Sequence, residues 1–257
     1  MGRTTVFLYG VACYAVALAA FVYGMGFIGG FLTPTMLDGA PDRPLGQALL
    51  IDLGLLAVFA VQHSGMARPA FKKWWTRIVP ESAERSTYVL VSSIAIGALF
   101  YYWSPIGGIV WQAPAGAART SISGLYLLGW ALLLYTTFLI DHFDLFGLKQ
   151  VWRYLSAQTY RPPQFYTPSL YKVVRHPLYI GWLTIFWATP TMTIAHLVFA
   201  VATTLYILIA IRLEERDLVG AFGERYIAYR ERTPMLLPRL SRQDRARGSL
   251  AEYRARD

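Results

Sequence analysis

Val6 to Leu32 runs for 27 residues without a formal charge, and four more apolar stretches follow it. They are Leu45–Val61, interrupted only by Asp52, then Tyr88–Val110, Ser121–Ile140 and Leu178–Ile211. A bilayer hydrocarbon core about 30 Å thick takes about 20 helical residues. In lipid each segment must satisfy its own backbone polar groups, so the runs read as helices. With 55% hydrophobic and only 15% charged residues, the 257-residue chain carries too little polar surface for a soluble domain. The expected fold class is all-α, a polytopic integral membrane helical bundle of 5–6 transmembrane helices. The first run is too long for a signal-peptide core and reads as a retained span. Leu178–Ile211 is too long for one span and is broken around Pro190 and His196. It reads as a short C-terminal hairpin of two helices, or as a single span, followed by a cytoplasmic amphipathic helix. The expected organisation is an N-terminal four-helix region (1–143), a second region (144–238) and a basic, loosely ordered tail (239–257).

Basic residues orient the bundle. The segments Gly65–Thr87 and Asp144–Pro177 each carry five Lys or Arg, whereas the alternate loops hold only Arg43 and Arg119. The positive-inside rule then puts both basic loops and both termini in the cytoplasm. The formal net charge of +9 needs no nucleic-acid partner, because juxtamembrane cations serve topology and anionic lipid equally well. Cys13, the only cysteine, excludes an intramolecular disulfide and a zinc–thiolate cluster, and no metal site is expected. Asp52, within a span, is expected to face a protein interior or a cavity.

Gly24–Gly29 matches G-x-G-x-x-G, but a dinucleotide fingerprint needs a preceding strand. Here the glycines end an apolar helix and suit close helix packing instead. Gln62-His63-Ser64 and Asp141-His142-Phe143-Asp144 end two spans in the same leaflet, and Glu84-Arg85-Ser86-Thr87-Tyr88 opens a third. Each fits an interfacial polar cap. Together they set two imidazoles, carboxylates, a cation and a phenol at one mouth of the bundle, where ionisable groups are functional candidates.

Further along, Arg175-His176-Pro177 stands at the entrance to the hairpin, and Glu214-Glu215 at its exit. On a helix Phe222, Tyr226 and Tyr229 share one face. An interfacial amphipathic helix explains those aromatics but not the paired carboxylates. Bringing both ends of the hairpin to one surface makes a pocket with carboxylates, an arginine and aromatic faces. Such a pocket suits S-adenosylmethionine or another zwitterionic nucleotide.

The ordered set Arg-His-Pro-x-Tyr-x-Gly, hydrophobic hairpin, Glu-Glu, Phe-Gly-x-x-Tyr-x-x-Tyr and Thr-Pro-x-Leu-Leu-Pro, over Tyr171–Pro238, resembles the isoprenylcysteine carboxyl methyltransferase-like membrane methyltransferases. Gln62–Arg68, Glu84–Leu90 and Asp141–Gln150 extend the resemblance to the NnrU-related branch, and within it to members that methylate methanethiol. Lys149 stands where that pattern suggests Arg. The resemblance implies S-adenosyl-L-methionine as cofactor and S-adenosyl-L-homocysteine as product. The implied contacts are Lys172, Val174, Arg175, His176, Pro177, Tyr179, Gly181, Trp182, Glu214, Glu215, Tyr226 and Tyr229. It also implies a multi-pass protein of the bacterial inner membrane, with a cytoplasmic cofactor site and a small volatile thiol as partner, and dimethyl sulfide as the product from methanethiol. Acting on the thiol would be His63, His142 and Asp144 as base or proton relay, with Arg85 and Tyr88 steadying the thiolate. The alternatives are an isoprenylated or lipid acceptor, or an NnrU-like protein associated with denitrification.

Overall fold

The computed structural model describes residues 2–162 and 164–238, so the expected tail (239–257) lies outside the described residues. Two long helices, α1 (Arg3–Gly29) and α2 (Leu45–Ala67), are followed by a short amphipathic α3 (Pro69–Trp75) and by α4 (Glu81–Tyr102). Next come strand β1 (Ile109–Gln112), α5 (Ala117–Leu139), and the short α6 (His142–Leu145) and α7 (Leu148–Leu155). After a 3₁₀ turn at Ser169–Lys172 the chain forms α8 (Pro177–Trp187), β2 (Thr191–Thr193), α9 (Ile194–Phe222) and α10 (Glu224–Arg232).

Among the described residues four helices, α1, α2, α5 and α9, are long and apolar enough to cross a membrane. The third expected span starts seven residues earlier than the apolar run, because Glu81, Glu84 and Arg85 open α4 as a polar first turn and a half. The end of that run, Ile109 and Val110, lies in β1 instead. The hairpin also differs from expectation, since its helices are unequal. The 11 residues of α8 reach only ~16 Å, whereas the 29 residues of α9 reach ~43 Å. Helix α9 continues through Glu214 and Glu215 to Phe222, so both carboxylates are intrahelical. Between α8 and α9 the chain extends and pairs antiparallel with β1, Gln112 opposite Thr191 and Ile109 opposite Thr193. Pro190, unable to continue a helix, sits at that transition.

Helix α4 packs between α1 and α2, while α8 packs against α5 and α9. Helices α5 and α8 approach backbone to backbone at two glycines. A Cβ on Gly181 would lie 3.0 Å from the Leu133 backbone nitrogen, and one on Gly129 would lie 3.1 Å from that of Ile185. The glycines Gly24 and Gly26 of the G-x-G-x-x-G stretch lie inside α1, against Phe100 and Thr33. The main core gathers Phe27, Phe100, Trp103, Trp130, Phe186 and Phe199. At the end carrying the β-ribbon, buried Asp52 accepts a hydrogen bond from the Ser104 backbone N–H at 2.9 Å. This fits the rule that intramembrane carboxylates face protein. The opposite end holds the candidate site.

Candidate active site

Arg175-His176-Pro177 builds one wall. Pro177 is the first residue of α8, where its missing N–H costs nothing and its φ suits a helix. The backbone N–H groups of Arg175 and His176 donate to the Pro234 and Met235 carbonyls at 2.9 and 3.2 Å. The Thr233-Pro segment is thereby tied to the entrance of the hairpin. The Arg175 side chain completes the tie. Its Nε donates to Glu215 Oε1 at 2.7 Å, and its Nη1 donates to the Arg230 and Thr233 carbonyls at 3.0 and 2.5 Å. His176, 4% exposed, places Nε2 3.0 Å from the same Glu215 oxygen. Arg175 and His176 are therefore spent on protein partners.

Glu214 and Glu215 are successive residues of one helix, so their side chains diverge by ~100° around its axis. Glu215 is the inner one, its side chain 12% exposed and saturated by Arg175 and His176. Glu214, 44% exposed, accepts one hydrogen bond, from the Tyr179 hydroxyl at 3.0 Å, and keeps further lone pairs open.

An aromatic box stands beside these carboxylates. Gly223, at φ 56°, breaks the helix after Phe222 and turns α10 back. Phe222, Tyr226 and Tyr229 therefore do not share one continuous helix, yet all three converge on Phe165, with ring centroids at 5.3, 5.9 and 5.5 Å. The Tyr229 hydroxyl donates to the Tyr171 carbonyl at 2.5 Å. Among the described residues the Tyr226 hydroxyl has no hydrogen-bond partner, although the residue is 2% exposed. Burial and the nearby Glu215 and Glu214 push its acidity well below that of a free phenol, so it stays protonated and available as a donor. Burial likewise pushes Tyr229 up to about 12.

The second half of the site lies between α2, α4 and α9. His63, one turn before the end of α2, stacks on Phe59, and the Tyr88 hydroxyl lies 3.0 Å from its Nε2 and 3.1 Å from its Nδ1. Its Nδ1 is 3.2 Å from Ser92 Oγ. Gln62 spends its amide N–H groups on Ser92 Oγ and Met66 Sδ, both at 3.2 Å. The imidazole tautomer sets whether Ser92 Oγ donates to His63 Nδ1 or accepts from it. The Arg85 guanidinium lies 5.0 Å over the Tyr88 ring and donates to the Leu145 carbonyl at 2.7 Å. Two ties lock this cluster to the carboxylate end of α9. Ser64 Oγ meets the Tyr206 hydroxyl at 3.1 Å, and Arg68 donates to Asp217 at 2.7 Å.

His142 and Asp144 form a separate network. His142 stacks on Phe138 at 4.4 Å, and its ring nitrogens meet the Tyr14 hydroxyl and Thr137 Oγ1, both at 2.8 Å. Burial holds its pKa below the usual imidazole value. Asp144 accepts from the Tyr160 hydroxyl at 2.8 Å, and burial raises its pKa against that hydrogen bond. Lys149 pairs with Asp141, whose side chain caps α6. An ammonium suffices for that single contact, with no need of a guanidinium fork. Among the described residues no hydrogen bond links His142 to His63.

The remaining expected contacts have mixed surroundings. Trp182 packs into the core, stacked on Phe186 and edge-on to Trp130. Gly181 is taken up by the α5 contact. Val174 is buried, whereas Lys172 is exposed at the end of the 3₁₀ turn. Phe165, Tyr206 and Ser92 were not picked out from the sequence. Phe165 sits in an aperiodic Pro-rich loop. Tyr206 and Ser92 carried a signal, as hydroxyls within apolar helices.

No family model matches the chain, and no solved structure matches it. Curated relatives do. The methanethiol S-methyltransferase of Crocosphaera subtropica is 53% identical over 238 residues, 93% of each chain. That of Mycobacterium tuberculosis is 48% identical, covering 93% of this chain and 98% of its own. More distant is nurim of Sus scrofa, 31% identical across 79% of this chain and 87% of its own. Identity of this extent across nearly the whole length places the chain in the methanethiol S-methyltransferase family.

Proposed function

We propose that the protein transfers a methyl group from S-adenosylmethionine to a small thiol, with methanethiol giving dimethyl sulfide. The observation that carries the cofactor assignment is the unpaired, buried Tyr226 hydroxyl beside the half-open Glu214 carboxylate. A buried donor without a partner costs stability unless a ligand supplies one. A donor, a free carboxylate and the faces of Phe165, Tyr226 and Tyr229 suit the nucleoside and amino-acid parts of this cofactor. Arg175, His176 and Glu215 hold that wall, and Tyr179 orients Glu214. When bound, the cofactor supplies a sulfonium methyl whose C–S electron pair stays with the departing S-adenosylhomocysteine.

The acceptor must lose its proton, since the thiolate is the nucleophile and even a cysteine thiol, more acidic than a simple alkyl thiol, has a pKa of about 8.5. The cluster around His63 suits that task. Gln62 donates to Ser92, Ser92 Oγ lies 3.2 Å from His63 Nδ1, and the Tyr88 hydroxyl is 3.1 and 3.0 Å from Nδ1 and Nε2. The Arg85 charge lies over the Tyr88 ring and steadies a thiolate formed at this hydroxyl. As the Tyr88 oxygen takes the thiol proton it passes its own to an imidazole nitrogen of His63, which holds it as an imidazolium. His142 and Asp144 act from further off, by fixing the loop onto which Arg85 is latched. Both basic loops and the N-terminus lie on the cytoplasmic side of a bacterial inner membrane, as does the cofactor wall.

Purified protein in detergent, given S-adenosylmethionine and methanethiol, is expected to release dimethyl sulfide, scored in the headspace by gas chromatography. Product that depends on both substrates and is lost in Glu214→Gln supports the assignment. Binding of S-adenosylhomocysteine without product would redirect it to a larger lipid acceptor, and absence of both would sink it.

A further inference from the structure

A cavity of about 530 Å³ lies outside the site just described, between α7 and the segment that follows it. Its walls are Lys149, Arg153, Gln158, Thr159, Tyr160 and Arg161, three cations and no carboxylate. Lys149 is paired with Asp141, and Arg153 leans on Gln158. Among the described residues neither Arg153 nor Arg161 makes an ion pair. A concave pocket with two unneutralised guanidinium groups calls for an anion with several acceptor oxygens.

The depth of α7 says which anion. Val151 is pressed against α1, where a Cβ on Gly10 would come within 2.6 Å of it. Phe7 meets Trp152 edge-on at 5.8 Å, and the Arg3 guanidinium sits 5.9 Å over Tyr154. Helix α7 thus lies alongside the first turns of a span, at the boundary of the apolar zone. Its outer face exposes Trp152 and Tyr154, with Phe143 exposed nearby. Aromatics of this kind mark the headgroup level of a bilayer. A purely topological role for the cations would not need a cavity, nor exposed aromatic rings on the same helix.

We propose that this cavity binds the phosphate of an anionic phospholipid from the leaflet in contact with α7. Arg153 and Arg161 hold the phosphate oxygens, and Trp152 and Tyr154 flank the glycerol and upper acyl region. The site is independent of the methyl-transfer assignment. It does touch the same scaffold, because Tyr160 lines the cavity and donates to Asp144.

Native mass spectrometry of the full chain, released from micelles containing equal phosphatidylglycerol and phosphatidylcholine, tests this. The expected result is preferential retention of phosphatidylglycerol, falling roughly fivefold for each arginine neutralised in Arg153→Gln and Arg161→Gln. Arg153→Lys with Arg161→Lys should keep most of the preference, which separates loss of charge from loss of fold. Equal retention of the two lipids by the unmodified protein would overturn the proposal, as would an unchanged preference in the double glutamine variant. Calorimetry with inorganic phosphate alone on delipidated protein distinguishes the sources. Binding of free phosphate through these arginines without lipid preference would mean a soluble anion site and would also overturn it.

Discussion

His176 Nε2 and Glu215 Oε1 lie 3.0 Å apart although 39 residues separate them, and the same oxygen takes the Arg175 guanidinium at 2.7 Å. One carboxylate thereby closes the ring formed by the hairpin entrance, α9 and the Thr233-Pro segment. Glu215→Ala leaves two buried donors without an acceptor, and a lost hydrogen bond to a charged group costs about 1.5–3 kcal/mol. The thermal midpoint in detergent should fall by several degrees, and S-adenosylhomocysteine affinity should fall with it.

Glu214→Gln should behave differently. The neighbouring carboxylate makes one internal hydrogen bond and is half open, so folding is little affected. Loss of the charged acceptor should weaken S-adenosylhomocysteine binding about tenfold or more, measured by calorimetry, with the melting temperature of the unliganded protein nearly unchanged.

His63→Ala and Ser92→Ala probe the proton chain. Both should leave S-adenosylhomocysteine affinity intact. Turnover with methanethiol should drop about 10²-fold or more for His63→Ala, the usual scale for general acid–base groups. It should drop less for Ser92→Ala, which only frees the imidazole to change tautomer. Raising the pH, which ionises the thiol directly, should narrow the gap between each variant and the unmodified protein. A gap that stays constant up to the thiol pKa would remove His63 from proton handling.

His142 gives a pH signature of stability. Burial lowers its folded pKa below the ordinary value of about 6.5. Its contribution is therefore complete above pH ~6.5 and lost as the pH falls through that value toward the folded pKa, because only the unfolded chain takes the proton. The difference in thermal midpoint between the unmodified protein and His142→Gln should shrink from pH 7.5 to pH 5.

Gly181→Val should separate α5 from α8, since even a Cβ would sit 3.0 Å from the Leu133 nitrogen. Overpacking of this kind costs about 1–3 kcal/mol. A thermal midpoint equal to that of the unmodified protein would show that Gly181 faces the cofactor and not α5.

The apolar runs determined by themselves that the chain is a helical membrane bundle, because lipid leaves few ways to satisfy a backbone. The ordered motifs from Arg175 to Pro238 likewise carried the family, since residue order survives without coordinates. The sequence did not tell Glu214 from Glu215. Adjacent residues of one helix look alike in a string, and only the packing of α8 makes one the buried hub and leaves the other open. Nor could spacing separate His63 from His142. Both end apolar helices, and the tertiary structure alone gives His63 the Tyr88 hydroxyl and surrounds His142 with Tyr14, Thr137 and Phe138. Phe165 and the bend at Gly223 belong to the same class. Local periodicity records which face of an element is apolar. Which element that face meets is fixed by long-range packing, and that is where this site is made.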